Sequence, residues 1–182
     1  MLKIETTLLV VIDVQEKLLR VMFEKEALVS NLQKLIKGCG VLGVPVFITE
    51  QNPSGLGHTT AEILDLVPGS EKLTKYSFNC CAETGFCEQL KSSNRRQILM
   101  CGIESHICVY QTAIDLVAAG YEVQVVIDAV SSRTEQNKEL AINRLASEGA
   151  KITGVEMALF ELLKTSKTQR FKEISAIVKD QK

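Results

Sequence analysis

The sequence predicts a three-layer α/β/α domain built on a mostly parallel, doubly wound open sheet. Two observations carry this prediction. Short apolar runs rich in β-branched residues recur along the 182 residues, as expected of strands that are buried on both faces. Amphipathic segments with helical spacing separate these runs. Such strand–helix alternation favours parallel strands that are covered by helices on both sides.

Four apolar runs predict the principal strands, and a fifth run is weaker. The first, TLLVVID (7–13), is the clearest because it is almost continuously apolar. The others, in chain order, are VPVFITE (44–50), RQILMCG (96–102), YEVQVVID (121–128) and the short AKITG (150–154).

Three segments between the strands have helical periodicity, and each runs into one or more glycines that favour a helix end. These segments are the stripe from Leu28 to Leu42 with glycines at 38–43, the stripe from Ile107 to Val117 before Gly120, and residues 137–148 before Gly149.

No linker or internal repeat divides the chain, so residues 1–182 are expected to form a single domain with its core at about 5–163. Residues 164–182 predict a C-terminal helical tail. Phe171 and Ile174 would dock this tail on the core, and the alternative is that it frays.

Composition narrows the class of protein. The net charge of −1 offers no basic field for nucleic acid or an anionic membrane. No apolar run approaches the ~20 residues that span a bilayer, and the first residues lack the pattern of a signal peptide. Six cysteines in a chain that is not exported favour reduced thiols. We therefore expect a cytoplasmic protein with no nucleic-acid and no membrane partner.

Polar residues follow the predicted strands, where ligands collect in a doubly wound sheet. They are Asp13, Glu50, the segment 102–108 and Asp128. Asp13 has two interpretations, and both stay open at this point. It is either the N-cap of a helix that begins near Gln15 or a partly desolvated carboxylate that takes part in chemistry.

The stretch CGIESHICVY (101–110) contains the candidate nucleophile Cys108. Its position in the first turn of a helix predicts a lowered thiol pKa, and the alternative is a buried structural cysteine. Cys101, inside a strand, suits that alternative. His106 is two residues from Cys108, about 200° around a helix, so it is expected to point away. Ser105 is interpreted as a cap or turn residue, and the base must come from elsewhere.

Four stretches together resemble the isochorismatase-like cysteine hydrolase superfamily, which includes nicotinamidases. They are LLVVIDVQ, GVPVFITEQNPSGLGHT, KYSF and CGIESHICVYQTAIDLVAAGYEVQVVIDAVSSR. The similarity runs from about residue 5 to about residue 163 and is greatest to the branch of isochorismatase domain-containing proteins. Several motifs in the same order make it specific. It implies an isochorismatase-like, Rossmann-like fold.

The resemblance implies a catalytic triad of Asp13, Lys75 and Cys108. Without it, Lys75 would be interpreted as an ordinary solvated lysine. The resemblance also implies a cis peptide bond between Ile103 and Glu104. That bond would direct the main-chain N–H groups of Glu104 and Cys108 at a developing oxyanion.

These residues predict hydrolysis of a small amide or related carbonyl compound through a thioacyl intermediate. A second hypothesis is a relative with weak turnover that acts as an interaction or scaffolding protein. A third, a thiol redox protein, would need a resolving cysteine that the sequence does not evidently supply. The resemblance further implies a homo-oligomer, for which residues 105–118 and the C-terminal segment are the candidate contact.

Nicotinamidases have a metal-binding loop of the pattern D-x-H-P followed by a second histidine. The matching stretch EQNPSGLGH has Glu50 for the aspartate, Asn52 for the first histidine and His58 for the second. We therefore expect no metal and no cofactor. Residues proposed to line a substrate pocket are Glu50, Gln51, Leu56 and Phe78.

Overall fold

The computed structural model describes residues 1–180 and contains a six-stranded sheet in which every pairing is parallel. Residues 181 and 182, the end of the predicted tail, lie outside the described residues. The strands are β1 (Thr7–Ile12), β2 (Val46–Gln51), β3 (Lys72–Lys75), β4 (Gln97–Ile103), β5 (Glu122–Ser131) and β6 (Lys151–Thr153).

The strand order is β3-β2-β1-β4-β5-β6. The chain starts at the centre, adds strands toward one edge, returns to the centre at β4 and then builds the other edge. This is the predicted doubly wound arrangement. Its switch point lies between β1 and β4, where a crevice for ligands is expected at the carboxyl ends of the strands.

The strands are connected by helices, a 3₁₀ turn at Cys80–Ala82 and a π-helical turn at Ser105–Val109. The helices are α1 (Glu16–Leu19), α2 (Lys25–Leu42), α3 (Pro53–Leu56), α4 (Ala61–Leu64), α5 (Thr84–Ser93), α6 (Tyr110–Ala118), α7 (Glu135–Ser147), α8 (Val155–Leu163) and α9 (Arg170–Lys179). Within residues 1–180, each helix is too short or too polar to cross a bilayer.

Two apolar cores lie on opposite faces of the sheet. Strand β1 is fully buried, and its side chains alternate between the faces. Leu9 and Val11 pack in the core under α2 and α8, while Leu8, Val10 and Ile12 pack in the core under α5 and α6. Burial on both faces is the reason that this strand is a continuous apolar run in the sequence.

The C-terminal tail docks rather than frays over its described residues. Ile174 on α9 is fully buried in the core that contains α2 and α8. The ring of Phe171 lies 6.4 Å from the ring of Phe160. This face of α9 and the buried residues of 105–118 pack within their own chain, and the subunit contact expected at these two segments stays a prediction.

Two expectations about strands need correction. Strand β3 was not predicted, because only Lys75 of its four residues is buried and no apolar run marks it. Strand β5 continues to Ser131, so Asp128 does not follow it. The Asp128 carboxylate instead accepts hydrogen bonds from the Val155 main-chain N–H at 2.9 and 3.2 Å. This residue therefore supports the start of α8.

Candidate active site

The carboxyl ends of β1 and β3 and the turn after β4 bring the three predicted triad residues into one site. Asp13 directly follows β1, Lys75 ends β3, and Cys108 lies in the π-helical turn. Lys75 Nζ is 2.6 Å from Asp13 Oδ2, and both side chains are fully buried. The Cys108 thiol is close enough to this pair for both charges to act on it. Only Cys108 retains any exposure, 6%.

Asp13 is held by the adjacent strand. Its Oδ1 accepts a hydrogen bond from the Thr49 hydroxyl at 2.7 Å, and its N–H donates to the Thr49 carbonyl at 3.2 Å. Its backbone is left-handed, with φ at 51°, a conformation that aspartate tolerates better than most residues. Gln15, not Asp13, occupies the N-cap position of α1. The N-cap interpretation of Asp13 is therefore wrong.

The Lys75 ammonium is surrounded by acceptors. Besides Asp13, it donates to Gln51 Oε1 at 2.7 Å and to the carbonyls of Ser77 and Phe78 at 3.2 and 3.4 Å. Burial, the largest single cause, would lower the pKa of Lys75, but the negative charges of Asp13, Cys108 and Cys80 together raise this pKa above its ordinary value. The interpretation of Lys75 as a solvated lysine is wrong.

The Cys108 thiol differs from its predicted state. Burial raises its pKa to about 12, and the Asp13 charge acts in the same direction, while the Lys75 ammonium opposes both. The expected lowering by a helix N-terminus therefore does not occur. The resting site holds a thiol beside a carboxylate, an arrangement that suits proton transfer at the moment of attack rather than a standing thiolate.

A second thiol, missed by the sequence reasoning, lies beside the site. Cys80 is fully buried, and its N–H donates to the Thr112 hydroxyl at 3.0 Å, one turn after Cys108 on the same helical segment. Burial raises the pKa of Cys80 to about 11, against the opposing charge of Lys75. Its position five residues after Lys75 was the feature of the sequence that could have indicated a place near the site.

The other residues of the 101–110 stretch lie elsewhere. Cys101 is fully buried in the core, as predicted. His106 Nδ1 lies 2.9 Å from the hydroxyl of Ser132, the residue that follows β5. The hydrogen-bond partner of His106 is therefore Ser132 and not Cys108. Ser105 is buried and caps no helix; within the described chain its hydroxyl has no hydrogen-bond partner. Ser105 begins the π-helical turn, so of its two interpretations the turn residue is confirmed and the cap is wrong.

The backbone between β4 and the π-helical turn has the expected form. The Ile103–Glu104 peptide bond is cis. Just before it, Gly102 has φ of 111°, and a Cβ there would lie 2.1 Å from the Ile12 carbonyl oxygen, so only glycine fits. Glu104 Oε2 accepts from the Arg133 N–H at 3.2 Å and from its Nε at 3.1 Å. The oxyanion hole at Glu104 and Cys108 stays a prediction.

The loop that matches the nicotinamidase metal loop is held by internal hydrogen bonds. Glu50 Oε1 accepts from both the N–H and the hydroxyl of Thr59 at 2.8 Å, and Glu50 Oε2 lies 3.1 Å from His58 Nδ1. Asn52 Oδ1 accepts from the Ser54 hydroxyl at 2.9 Å. Over residues 1–180, no group of three or more His, Cys, Asp or Glu side chains is arranged to hold a metal. These residues do not fit a metal site.

The four residues proposed for the substrate pocket divide into two pairs. Glu50 and Gln51 are buried and already have protein partners. Leu56 is half-buried at the end of α3, and Phe78 is 56% exposed beside Lys75. Leu56 and Phe78 are therefore the better candidates for contact with a substrate.

Known proteins share both the sequence and the fold of this chain. Residues 7–157 match the isochorismatase domain. The "Secreted isochorismatase effector Isc1" of Phytophthora sojae is 36% identical, over 96% of this chain and 85% of that protein. "Isochorismatase domain-containing protein 2" of Danio rerio is 35% identical, over 94% of this chain and 86% of its own.

A solved structure has the same fold as this chain. The "MAR1 Ribonuclease from Caenorhabditis elegans" has a TM-score of 0.93 at 30% identity, over 99% of this chain and 93% of its own. The expected cytoplasmic location stays a prediction, since one relative is described as secreted. With the domain match, the similar relatives and the parallel sheet in agreement, the chain belongs to the isochorismatase domain family.

Proposed function

We propose that this chain is a cysteine hydrolase that cleaves a small amide or related C–N or carbonyl substrate through a thioacyl intermediate. The observation that carries the proposal is the fully buried ion pair of Lys75 and Asp13 next to the thiol of Cys108. Burying two charges is unfavourable unless they are paired and hydrogen-bonded. A pair maintained beside a nucleophile is typical of catalysis rather than of stability.

The geometry supports a specific order of proton transfers. As the Cys108 sulfur attacks the substrate carbonyl carbon, its proton passes to Asp13, and Lys75 stabilises the negative charge that moves between them. The main-chain N–H groups of Glu104 and Cys108 would receive the oxyanion. The protonated Asp13 then gives its proton to the leaving amine as the C–N bond breaks. Water, deprotonated by Asp13, hydrolyses the thioester and restores the thiol.

The low exposure of the site favours a small substrate. Asp13 and Lys75 are fully buried, and Cys108 presents 6% of its surface, so a polymer has little access to the sulfur. Phe78 is held through its carbonyl, which accepts from Lys75 at 3.4 Å. This hydrogen bond keeps the exposed ring of Phe78 near the Lys75 ammonium, so we expect the ring to contact the substrate.

Two other functions have less support. The scaffolding hypothesis gives no reason for the chain to keep three ionisable groups convergent in a buried site. Ribonuclease activity, the name of one structural relative, would call for a surface that attracts phosphates, whereas the net charge of this chain is −1. Assembly into a homo-oligomer stays a prediction, which light scattering of the purified protein would decide.

The test is release of ammonia or amine from a panel of small amides, ureides and carbamates. The Cys108→Ala variant is the blank, and Cys87→Ala is the matched control, because Cys87 is a half-buried cysteine on α5 outside the site. We expect turnover of at least one compound by the wild type and Cys87→Ala, and none by Cys108→Ala. Silence across the panel, or cleavage of an RNA oligonucleotide that survives Cys108→Ala, would contradict the proposal.

A further inference from the structure

Gln51 stands between the two strands that supply the buried ion pair. It ends β2, which lies between β1 and β3 in the sheet. In the parallel register it is the partner of Lys75. Its residue exposure is 9%, so the side chain is enclosed by protein on nearly all sides.

The Gln51 amide links the ammonium to the chain that follows it. Oε1 accepts from Lys75 Nζ at 2.7 Å, and Nε2 donates to the Tyr76 carbonyl at 2.7 Å. An ammonium can only donate and a carbonyl can only accept. The two neighbours therefore allow only one orientation of the amide, in which Oε1 faces Lys75.

The main chain of Gln51 is fixed from the other side by Gln15. Gln15 Oε1 accepts from the Gln51 N–H at 2.7 Å, and Gln15 Nε2 donates to the Gln51 carbonyl at 3.0 Å. Gln15 Nε2 also donates to the Gly57 carbonyl at 2.6 Å, and the residue is fully buried. Gln15 is two residues beyond Asp13, so the segment that carries the carboxylate also holds the residue that contacts the ammonium.

We propose that Gln51 is a positioning residue that holds the Lys75 ammonium against Asp13, and that it is not a substrate-binding residue. The proposal rests on the hydrolase function for its kinetic consequences, but not for its structural ones. The amide oxygen and one N–H are engaged by the protein. Without Oε1, the ammonium retains one strong acceptor at Asp13 and the longer contacts to the carbonyls of Ser77 and Phe78.

The first readout needs no substrate. Hydrogen exchange of the Lys75 ammonium, measured by ¹⁵N NMR and assigned with Lys75→Arg, reports how firmly its N–H groups are held. Gln51→Met keeps the length and removes the acceptor, so exchange should become about tenfold faster. Gln51→Glu keeps an acceptor toward Lys75 but loses the donor to the Tyr76 carbonyl, so exchange should stay slower than in Gln51→Met. Gln33→Met is the control, because Gln33 Nε2 donates to the Glu62 carbonyl on the surface, away from the site.

The second readout separates positioning from binding. On a substrate of the wild type, Gln51→Met should reduce kcat roughly tenfold or more with KM nearly unchanged, because a displaced ammonium affects the chemical step. A raised KM with kcat unchanged would assign Gln51 to substrate binding and overturn the proposal. Unchanged ammonium exchange in Gln51→Met, or exchange in Gln51→Glu as fast as in Gln51→Met, would also overturn it. Altered exchange in a protein that hydrolyses nothing would refute the hydrolase function and leave the positioning role standing.

Discussion

Two buried carboxylates on neighbouring strands of this sheet have opposite environments. Glu50 in β2 receives donors on both oxygens from Thr59 and His58. Asp13, beyond β1, receives one hydroxyl from Thr49, while its other oxygen faces the Lys75 ammonium and the thiol of Cys108 lies alongside. Both residues are almost fully buried, so burial does not distinguish them.

The difference lies in whether the carboxylate can exchange a proton with a neighbour. The hydrogen bonds to Glu50 from Thr59 and His58 outweigh its burial and hold its pKa below the ordinary value, so it remains a fixed acceptor that ties down its loop. Asp13 is next to a thiol that can give up a proton. A carboxylate whose oxygens are occupied by fixed donors positions a loop, whereas one that lies beside a thiol can take up that thiol's proton during a reaction.

Replacing Asp13 should produce the largest effect. Asp13→Asn removes the proton carrier, and kcat/KM should fall by about 10²–10⁴-fold. It also leaves Lys75 buried without a counter-charge, which should lower the free energy of unfolding by about 3–5 kcal/mol. Denaturant titration and steady-state kinetics measure the two losses. The Asp13→Asn/Lys75→Met double variant should regain stability without activity; a double variant that regains turnover would show that Asp13 is not the proton carrier.

The next largest effect concerns the Cys108 thiol, on which the charges of Asp13 and Lys75 act in opposite directions. Asp13 raises the pKa of the Cys108 thiol and Lys75 lowers it. The pKa of the Cys108 thiol, read from the pH dependence of its alkylation by iodoacetamide, should therefore fall in Asp13→Asn and rise in Lys75→Met, each by on the order of one unit. Peptide mass spectrometry follows the labelling, with Cys87 as an internal reference. Changes of the same sign in both variants would contradict this account of the site.

Glu50→Gln should have the smallest effect on catalysis. We expect less than about a tenfold change in kcat/KM, and a loss of about 1–3 kcal/mol in the free energy of unfolding at pH 7, because hydrogen bonds to a charged acceptor are weakened. The folded pKa of Glu50 lies below the ordinary 4.5, so its stabilisation is fully present above pH 4.5 and is lost as pH falls through the folded pKa.

Urea titrations of wild type and Glu50→Gln at pH 7 and below pH 4.5 measure this dependence. The gap between the two proteins should narrow on the acidic side. A fall in kcat/KM as large as that of Asp13→Asn would place Glu50 in contact with the substrate and remove the contrast between the two carboxylates.

Strands buried on both faces were the most predictable part of the fold. Burial makes β1, β2, β4 and β5 apolar, and the long helix α2 carries a stripe that matches its buried face. Strand β3 escaped because it lies at the edge of the sheet, where Lys72 and Thr74 are exposed. The end of β5 was misjudged because its pairing with β4 shifts register after Met100, and no residue pattern marks such a shift.

The site was predictable from motifs but not from periodicity. Asp13 stands out as a charge at the end of an apolar run. Lys75 does not, since its burial arises from contacts with Asp13 and Gln51 that only the folded sheet creates, and resemblance alone identified it. The thiol pKa of Cys108 was predicted wrongly because the prediction used only its position in the first turn of a helix. The desolvation that raises its pKa comes from the whole assembled site.

The ion pair joins strands that do not touch each other. Lys75 on β3 reaches past β2 to Asp13 beyond β1, and Cys108 comes from the turn after β4. Four strands must therefore be in register before the three side chains meet. A polypeptide still emerging from the ribosome therefore lacks this site, which forms only once four of the six strands have been assembled.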